Sequence, residues 1–235
     1  MAQLQERDRL RAALLSSVSH DLRTPLTAIL AAAAELRRHP APDVIDSIEV
    51  EAQRLNRFVA NLLDMARVEA GALRLNIEAV DLADAIASAV HDTRRALDGH
   101  AIELGVAPDL PLVRVDAQLF HHILINLLDN AGRYAAPGTP IAIRAEREPG
   151  SLILSILDEG PGLPPGRERD VFETFRRIEG SDRKQAGTGL GLAIVKGFAE
   201  AMGLTVEAAN RGEPAGARFT LRFPEEALVK GFDDQ

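Results

Sequence analysis

A neutral imidazole is a competent nucleophile near pH 7, and His20, in the stretch SVSHDLRTPL (residues 17–26), has neighbours that would favour that use. The adjacent carboxylate of Asp21 can accept the proton of the other ring nitrogen and so raise the nucleophilicity of the first. Thr24 lies one helical turn further along the same flank, within reach of whatever reacts at His20. Taking ~100° per residue, the apolar stripe through Leu14, Val18, Leu22, Leu26 and Ile29 spans roughly 100° of a helix, and His20 lies nearly opposite its centre, on the wet side. Pro25 lacks an N–H and crowds the carbonyl of Asp21, which loosens the backbone beside the histidine where a partner must approach.

The electrophile has to come from elsewhere, and the second half of the chain offers groups suited to a phosphate. In LDEGPGLP an apolar run ends in Asp158, followed by Gly160 and Gly162. In GTGLGLAIVKG, Gly187, Gly189 and Gly191 open a helix, where free backbone N–H groups and the helix dipole favour negative charge. Gly-rich turns of either kind are common, and neither is diagnostic alone. INLLDNAGRYA carries Asn126 and Asn130 four apart on one helix face, with Arg133 just after. Amide oxygens so spaced suit a hard cation or phosphate-bound water, or are simply a polar helix flank.

Two periodicities must position these groups. From Leu4 to about Arg37, and from Asp43 to about Ala70, apolar residues recur at three and four positions and predict two long amphipathic helices. The link RRHPAPD, with two prolines and Asp43 as N-cap, folds them back as a hairpin. A lone hairpin cannot enclose both stripes, so it either dimerises into a four-helix bundle or docks on the rest of the chain. Beyond Gly71 the texture changes. LRLNIEAV, AIELGV, IAIRAE, SLILSILD, LTVEAAN and ARFTLRF alternate as strands. Helices are predicted over DLADAIASAVHDTRRAL, from Asp116 through Tyr134, and from about Leu190 to Met202. The class is α+β: a helical hairpin followed by a mixed sheet covered on one face by helices. The expected domains are residues 1–72 and 73–226, with an acidic, frayed tail at 227–235.

Composition narrows the function. At 46% hydrophobic and 26% charged the chain is globular, and the absence of cysteine excludes disulfides and thiolate metal sites. A net charge of −8 speaks against nucleic acid as a partner. No stretch approaches the ~18 apolar residues of a membrane span, so this stretch of chain is expected in the cytosol, without membrane contact of its own.

SVSHDLRTPL, INLLDNAGRYA, DEGPGLP, VFETFRR and GTGLGLAIVKG, in that order and at these separations, resemble the H, N, G1, F and G2 boxes of bacterial two-component sensor histidine kinases. The resemblance covers nearly the whole chain. The wording around the boxes, notably NLLDMARVEAGAL and FHHILINLLDNAGRYA, is similar to the KdpD type. The resemblance implies a dimerisation and phosphoacceptor hairpin followed by an ATP-binding α/β sandwich of the GHKL type. It implies that His20 accepts the γ-phosphoryl group of ATP, that Asp21 is its general base, and that Thr24 orients water when the phosphorylated partner is dephosphorylated. Asn126 would hold Mg²⁺, Asn130 would support the triphosphate, and Arg133 and Tyr134 belong to the same nucleotide-binding set. Arg133 stands where many relatives carry Lys, so its planar fork meets phosphate differently. Asp158 would accept a hydrogen bond from the adenine amino group, with Gly160 and Gly162 shaping the turn beneath the base. Phe172 and Phe175 would pack a lid over residues 176–186, with Arg177 and Lys184 as its cations. Gly187, Thr188, Gly189, Leu190 and Gly191 would close over the phosphates.

The partners so implied are a second copy of the chain and a response-regulator receiver domain whose aspartate takes the phosphoryl group; the KdpD likeness implies a longer membrane-bound parent, and a short stand-alone kinase is the alternative. Two other readings compete: an ATP hydrolase of the same nucleotide-binding fold, and a catalytically silent dimeric module. Related hydrolases carry a Glu base where this chain has His122, four residues before Asn126. The silent module would have lost His20, Asn126 or Asp158, and all three are present. The neighbouring His121 and His122 point ~100° apart, which favours packing or surface roles over a shared metal.

Overall fold

The computed structural model describes residue 22, residues 25–36, pairs and single positions from 44 to 66 (44–45, 48–49, 51–52, 55–56, 59–60, 63 and 66), and residues 74–168, 170–173 and 190–229. The chain divides into two compact units, Met1–Ala66 and Arg67–Gln235.

In the first unit every described residue is helical. The run AAAAEL at 31–36 favours this, since alanine loses no side-chain entropy in a helix. Pro25 is buried, whereas Leu26, Leu30, Ile45, Val59 and Leu63 are 41–62% exposed. Of the described residues of the predicted stripe, Leu26 is exposed and Leu22 and Ile29 are half-buried. The loosening expected at Pro25 involves Asp21, which lies outside the described residues.

The second unit runs β1 (Ile77–Val80), α1 (Leu82–Asp92), β2 (Ile102–Val106), β3 (Val113–Asp116), α2 (Ala117–Tyr134), β4 (Ile141–Glu148), β5 (Ser151–Leu157), α3 (Gly191–Ala201), β6 (Thr205–Asn210) and β7 (Ala217–Pro224), with 3-10 turns at Asp170–Phe172 and Glu225–Ala227. The main sheet has the order β2-β4-β5-β7-β6. Only β2 and β4 are parallel; the other neighbours are antiparallel. Register aligns Leu152, Leu154 and Ile156 of β5 with Phe223, Leu221 and Phe219 of β7, all buried. The alternate row is mixed: Ile153 and Leu157 are buried, while Ser155 meets Thr220 at 3.3 Å, and Arg222 donates to Glu148 at 3.0 Å and to Ser151 at 2.9 Å. Along β7 the two-residue alternation gives the sheet a continuous apolar face. On it, Phe120 of α2 meets Phe223 edge to face, ring centres 5.7 Å apart.

Of the three predicted N-caps, Asp81 and Asp116 are in place, and Asp43 lies outside the described residues. Asp81 accepts from the Ala83 and Asp84 N–H groups at the start of α1. Asp116 Oδ1 accepts from Gln118 and Leu119, while its Oδ2 takes the Asn76 N–H, tying the approach to β1 onto α2. Two expectations change. The α1 helix ends at Asp92 instead of continuing to Leu97, because turns from Thr93 onward carry the chain across α2. The segment EEALVKGFDDQ does not fray in its first five residues: Leu228 is buried and bridges Val113, and the Val229 N–H donates to Leu112 O at 2.8 Å. Strand β3, only VRVD, pairs antiparallel with β1 in a separate two-stranded sheet and is not announced by the sequence alternation.

Helix α2 buries Phe120, Ile123, Leu124, Leu127, Leu128 and Ala131, a continuous three-and-four stripe. At its end Gly132 lies so close to the turn after α1 that a Cβ would strike the carbonyl of Ala96. An exposed helical Gly→Ala change normally stabilises, by about 0.5–1 kcal/mol. Gly132→Ala is expected to do the opposite and cost about 1–3 kcal/mol through overpacking, read as a lower urea midpoint at unchanged slope.

Candidate functional site

The centre of the site is Asp158, the residue after β5. Its side chain is 2% exposed. Two main-chain donors meet the same oxygen, Oδ1: the Gly160 N–H at 2.9 Å and the Ala217 N–H at 3.2 Å. Among the described residues no donor meets Oδ2, which is the acceptor left for an incoming group. Burial pushes the carboxyl above the ordinary value of 3.8, while the Ala217 and Gly160 N–H groups and the Arg211 guanidinium oppose that rise. A carboxylate held this way can select a ligand that donates.

The turn after Asp158 is made possible by its glycines. A Cβ on Gly160 would run into the Tyr134 carbonyl oxygen, so Gly160 lets the end of α2 abut the turn. Gly162 has φ +75°, in the left-handed region, where any other residue would be strained. The Ala136 N–H donates to Glu159 O at 3.0 Å, a second link between the end of α2 and this turn.

Asn126 and Asn130 are half-buried on α2, flanking its apolar stripe, and Arg133 is exposed in the last turn. Asn126 Nδ2 donates to His122 O at 2.8 Å, which turns Oδ1 outward as an acceptor. That oxygen lies beside Gly191: a Cβ there would stand 2.9 Å from it. Gly191 is the first residue of α3, and Leu190, fully buried, holds its cap position without a side-chain cap hydrogen bond. A Cβ-free helix start beside an amide oxygen suits the donor set of a Mg²⁺-bound phosphate: hard oxygen ligands on one side, main-chain N–H groups on the other.

The structure thus joins Asn126 to Gly191 at one point of α2, and Tyr134 to Gly160 and Asp158 at its end. Phe172 lies in the core, its ring edge-on to Phe219 with centres 6.4 Å apart. The lid residues Phe175, Arg177 and Lys184, the glycine-loop residues Gly187, Thr188 and Gly189, and the N-terminal trio His20, Asp21 and Thr24 lie outside the described residues. The two neighbouring histidines take packing and surface roles: His121 meets Asp92 at 3.0 Å, and His122 stacks on Phe198.

Four residues escape a reading of the sequence. Asn210 accepts the Leu163 N–H at 2.6 Å and donates to Leu163 O at 2.8 Å. Arg211 Nη1 donates to Asp158 O at 2.9 Å. Gly216 lies where a Cβ would strike the Asp158 carbonyl, and Ala217 supplies a donor to its side chain. The one sequence signal, NRGEPAG between two strands, predicts a loop and does not say what the loop touches.

Residues 10–71 match the His Kinase A (phospho-acceptor) domain, and residues 115–227 the histidine kinase-, DNA gyrase B- and HSP90-like ATPase domain. The Sensor protein KdpD of Escherichia coli (strain K12) is 39% identical over 227 residues, which are 94% of this chain and 25% of that protein. The chain therefore spans about a quarter of such a relative. The histidine kinase AdeS of Acinetobacter baumannii superposes with TM-score 0.70 at 28% identity, over 88% of this chain and 98% of that one. Full-length ShkA, in complex with AMPPNP, gives 0.68 at 27% identity over 93% and 47%. No helix among the described residues is long and apolar enough to cross a membrane. With both domains matched in order, and the α+β fold of the second shared with solved kinases, the chain belongs to the bacterial sensor histidine kinases, as their catalytic core.

Proposed function

We propose that this core phosphorylates His20 from Mg·ATP and passes the phosphoryl group to an aspartate of a response-regulator receiver domain. The observation that carries the nucleotide half is the buried Asp158 beside Gly160, coupled through the single helix α2 to Asn126, which lies against Gly191 at the start of α3. In this reading Oδ2 of Asp158 accepts from the adenine amino group, and the glycine-rich entry to α3 receives the phosphates, with Asn130, Arg133, Thr188 and Leu190 around them. Asn126 Oδ1 would hold Mg²⁺, which supplies charge neutralisation at the transferring phosphate when bound. A ring nitrogen of His20 attacks the γ-phosphorus in line, an N–P bond forms as the bond to the ADP oxygen breaks, and Asp21 takes the proton of the other nitrogen. Thr24 orients water for dephosphorylation of the regulator. His122 offers no carboxylate one turn before Asn126, which favours transfer over hydrolysis.

In this reading the phosphoacceptor domain spans residues 1–72 and the catalytic domain 73–226, with the core on the cytoplasmic side of a longer membrane protein. The exposed Leu26, Leu30, Ile45, Val59 and Leu63 support a homodimer through the hairpin.

Incubation with γ-labelled ATP and Mg²⁺ tests the transfer: wild type is expected to gain acid-labile, base-stable label, and His20→Gln and Asn126→Ala to gain at least a hundredfold less. Wild type that binds ATP yet stays unlabelled contradicts the reading. Asp158→Asn separates binding from folding. Because burial raises the native value of this carboxyl, its ionised form is a net cost to the fold, and the associated stability is lost as pH rises through that value. Asp158→Asn is therefore expected to keep or raise the thermal midpoint at pH 7, with the difference shrinking toward pH 4. It should weaken ATP at least tenfold, because an amide NH₂ meets the adenine donor.

A further inference from the structure

The turn that carries Asp158 is held from outside as well as within. Asn210, at the end of β6, takes both main-chain groups of Leu163, accepting its N–H at 2.6 Å and donating to its carbonyl at 2.8 Å, as a neighbouring strand would. Its Oδ1 also occupies the space that a Cβ on Gly162 would need, so it is packed against the left-handed residue of the turn. The next residue, Arg211, is bound at the other end of the same turn: Nη1 donates to Asp158 O at 2.9 Å, and Glu159 Oε1 is 3.7 Å away. The Arg211 side chain is 16% exposed, so this contact is shielded from water. The Arg211 N–H closes its own loop on Gly216 O at 2.8 Å, immediately before Ala217, whose N–H reaches Asp158 Oδ1 and whose carbonyl takes the Asp158 N–H. The loop joining β6 and β7 thus grips residues 158–163 at both ends.

We infer that Asn210 is a positioning residue for base recognition, and that the Asn210–Arg211 pair fixes the turn 158–163 so that Asp158 presents its free oxygen in one direction. Asn210 touches no ligand; it acts through Leu163 and Gly162. The inference rests on the reading of Asp158 as the base-selecting group. A turn with positive-φ glycine and no side-chain grip would sample several conformations, and each would aim Oδ2 differently. Binding would then require ordering the turn first, which lowers affinity for the selected base more than for an unselected one.

The test measures Kd for ADP and for GDP, with Mg²⁺, on the full chain and on Asn210→Ala and Asn210→Asp. The aspartate keeps the acceptor for the Leu163 N–H but replaces the donor with a carboxylate oxygen set against the Leu163 carbonyl. Two hydrogen bonds of ordinary net worth correspond to a change of about tenfold. For Asn210→Ala the ADP affinity is expected to fall about tenfold and the ADP-over-GDP preference to shrink by a similar factor, with at least as large a loss for Asn210→Asp. Amide exchange at Leu163 should accelerate while exchange in β5 stays near wild type. A merely structural residue would not move the base preference. Wild type that binds ADP no better than GDP overturns the reading of Asp158 itself. Wild type that prefers ADP, with either folded variant keeping the same affinity and preference, overturns the role of Asn210 alone. Should Asn210→Ala not fold, Asn210→Asp decides.

Discussion

Placing a carboxylate at the end of a buried central strand is the constraint around which the second unit is arranged. Asp158 leaves water, so its charge has to be met by donors fixed in place, and only main-chain N–H groups are rigid enough and near enough. Gly160 supplies one from the turn that follows, and Ala217 supplies the other from the start of β7. For Ala217 to reach, β7 must lie next to β5 in this register, and Gly216 must have no side chain. The strand order, the turn and the β6–β7 loop are therefore tied to one charge. Full stability is given up at this point, since the ionised form is disfavoured by burial, in return for an acceptor that needs no rearrangement to bind.

Helix α2 carries the second constraint. Its two faces serve different ends: Phe120, Ile123, Leu124, Leu127, Leu128 and Ala131 anchor it to the apolar face of the sheet, and Asn126 and Asn130 flank that anchor. The same turns of helix that fix the core thereby fix the amides. Gly132 shows why the motif INLLDNAGRYA cannot be read as chemistry throughout. Its missing Cβ makes room for the Ala96 carbonyl, a packing demand inside a stretch otherwise associated with ligand.

What the sequence made legible was local. Asp81 and Asp116 announce their helices because a cap acts within three residues, and Asp158-Glu-Gly160 announces a turn because an acid after an apolar strand has few other uses. The alternation of β7 exposes its sidedness directly, whereas β5 is apolar on both faces and reads only as a buried strand. Contacts that depend on strand pairing were not legible. Asn210 and Leu163 are 47 residues apart, and Arg211 and Asp158 are 53, so nothing near either announces the other. Strand β3 is four residues long and carries an arginine and an aspartate, too short for alternation to speak, and its partner β1 is equally short. The buried Leu228 was hidden by its acidic surroundings: it is held by Val113, over a hundred residues earlier.

Helix α2 meets the two halves of the site at fixed points, Gly191 against Asn126 and Gly160 against Tyr134. Eight residues at ~1.5 Å each separate those points by about 12 Å along the axis. A packed helix does not stretch, so it behaves as a ruler. Under the proposed nucleotide reading, a molecule that ends at its sugar would touch one mark and inorganic phosphate the other, and only one with a base and a phosphate chain at the proper remove would span both. Length is thereby measured by the backbone, independently of the side chains that identify either end.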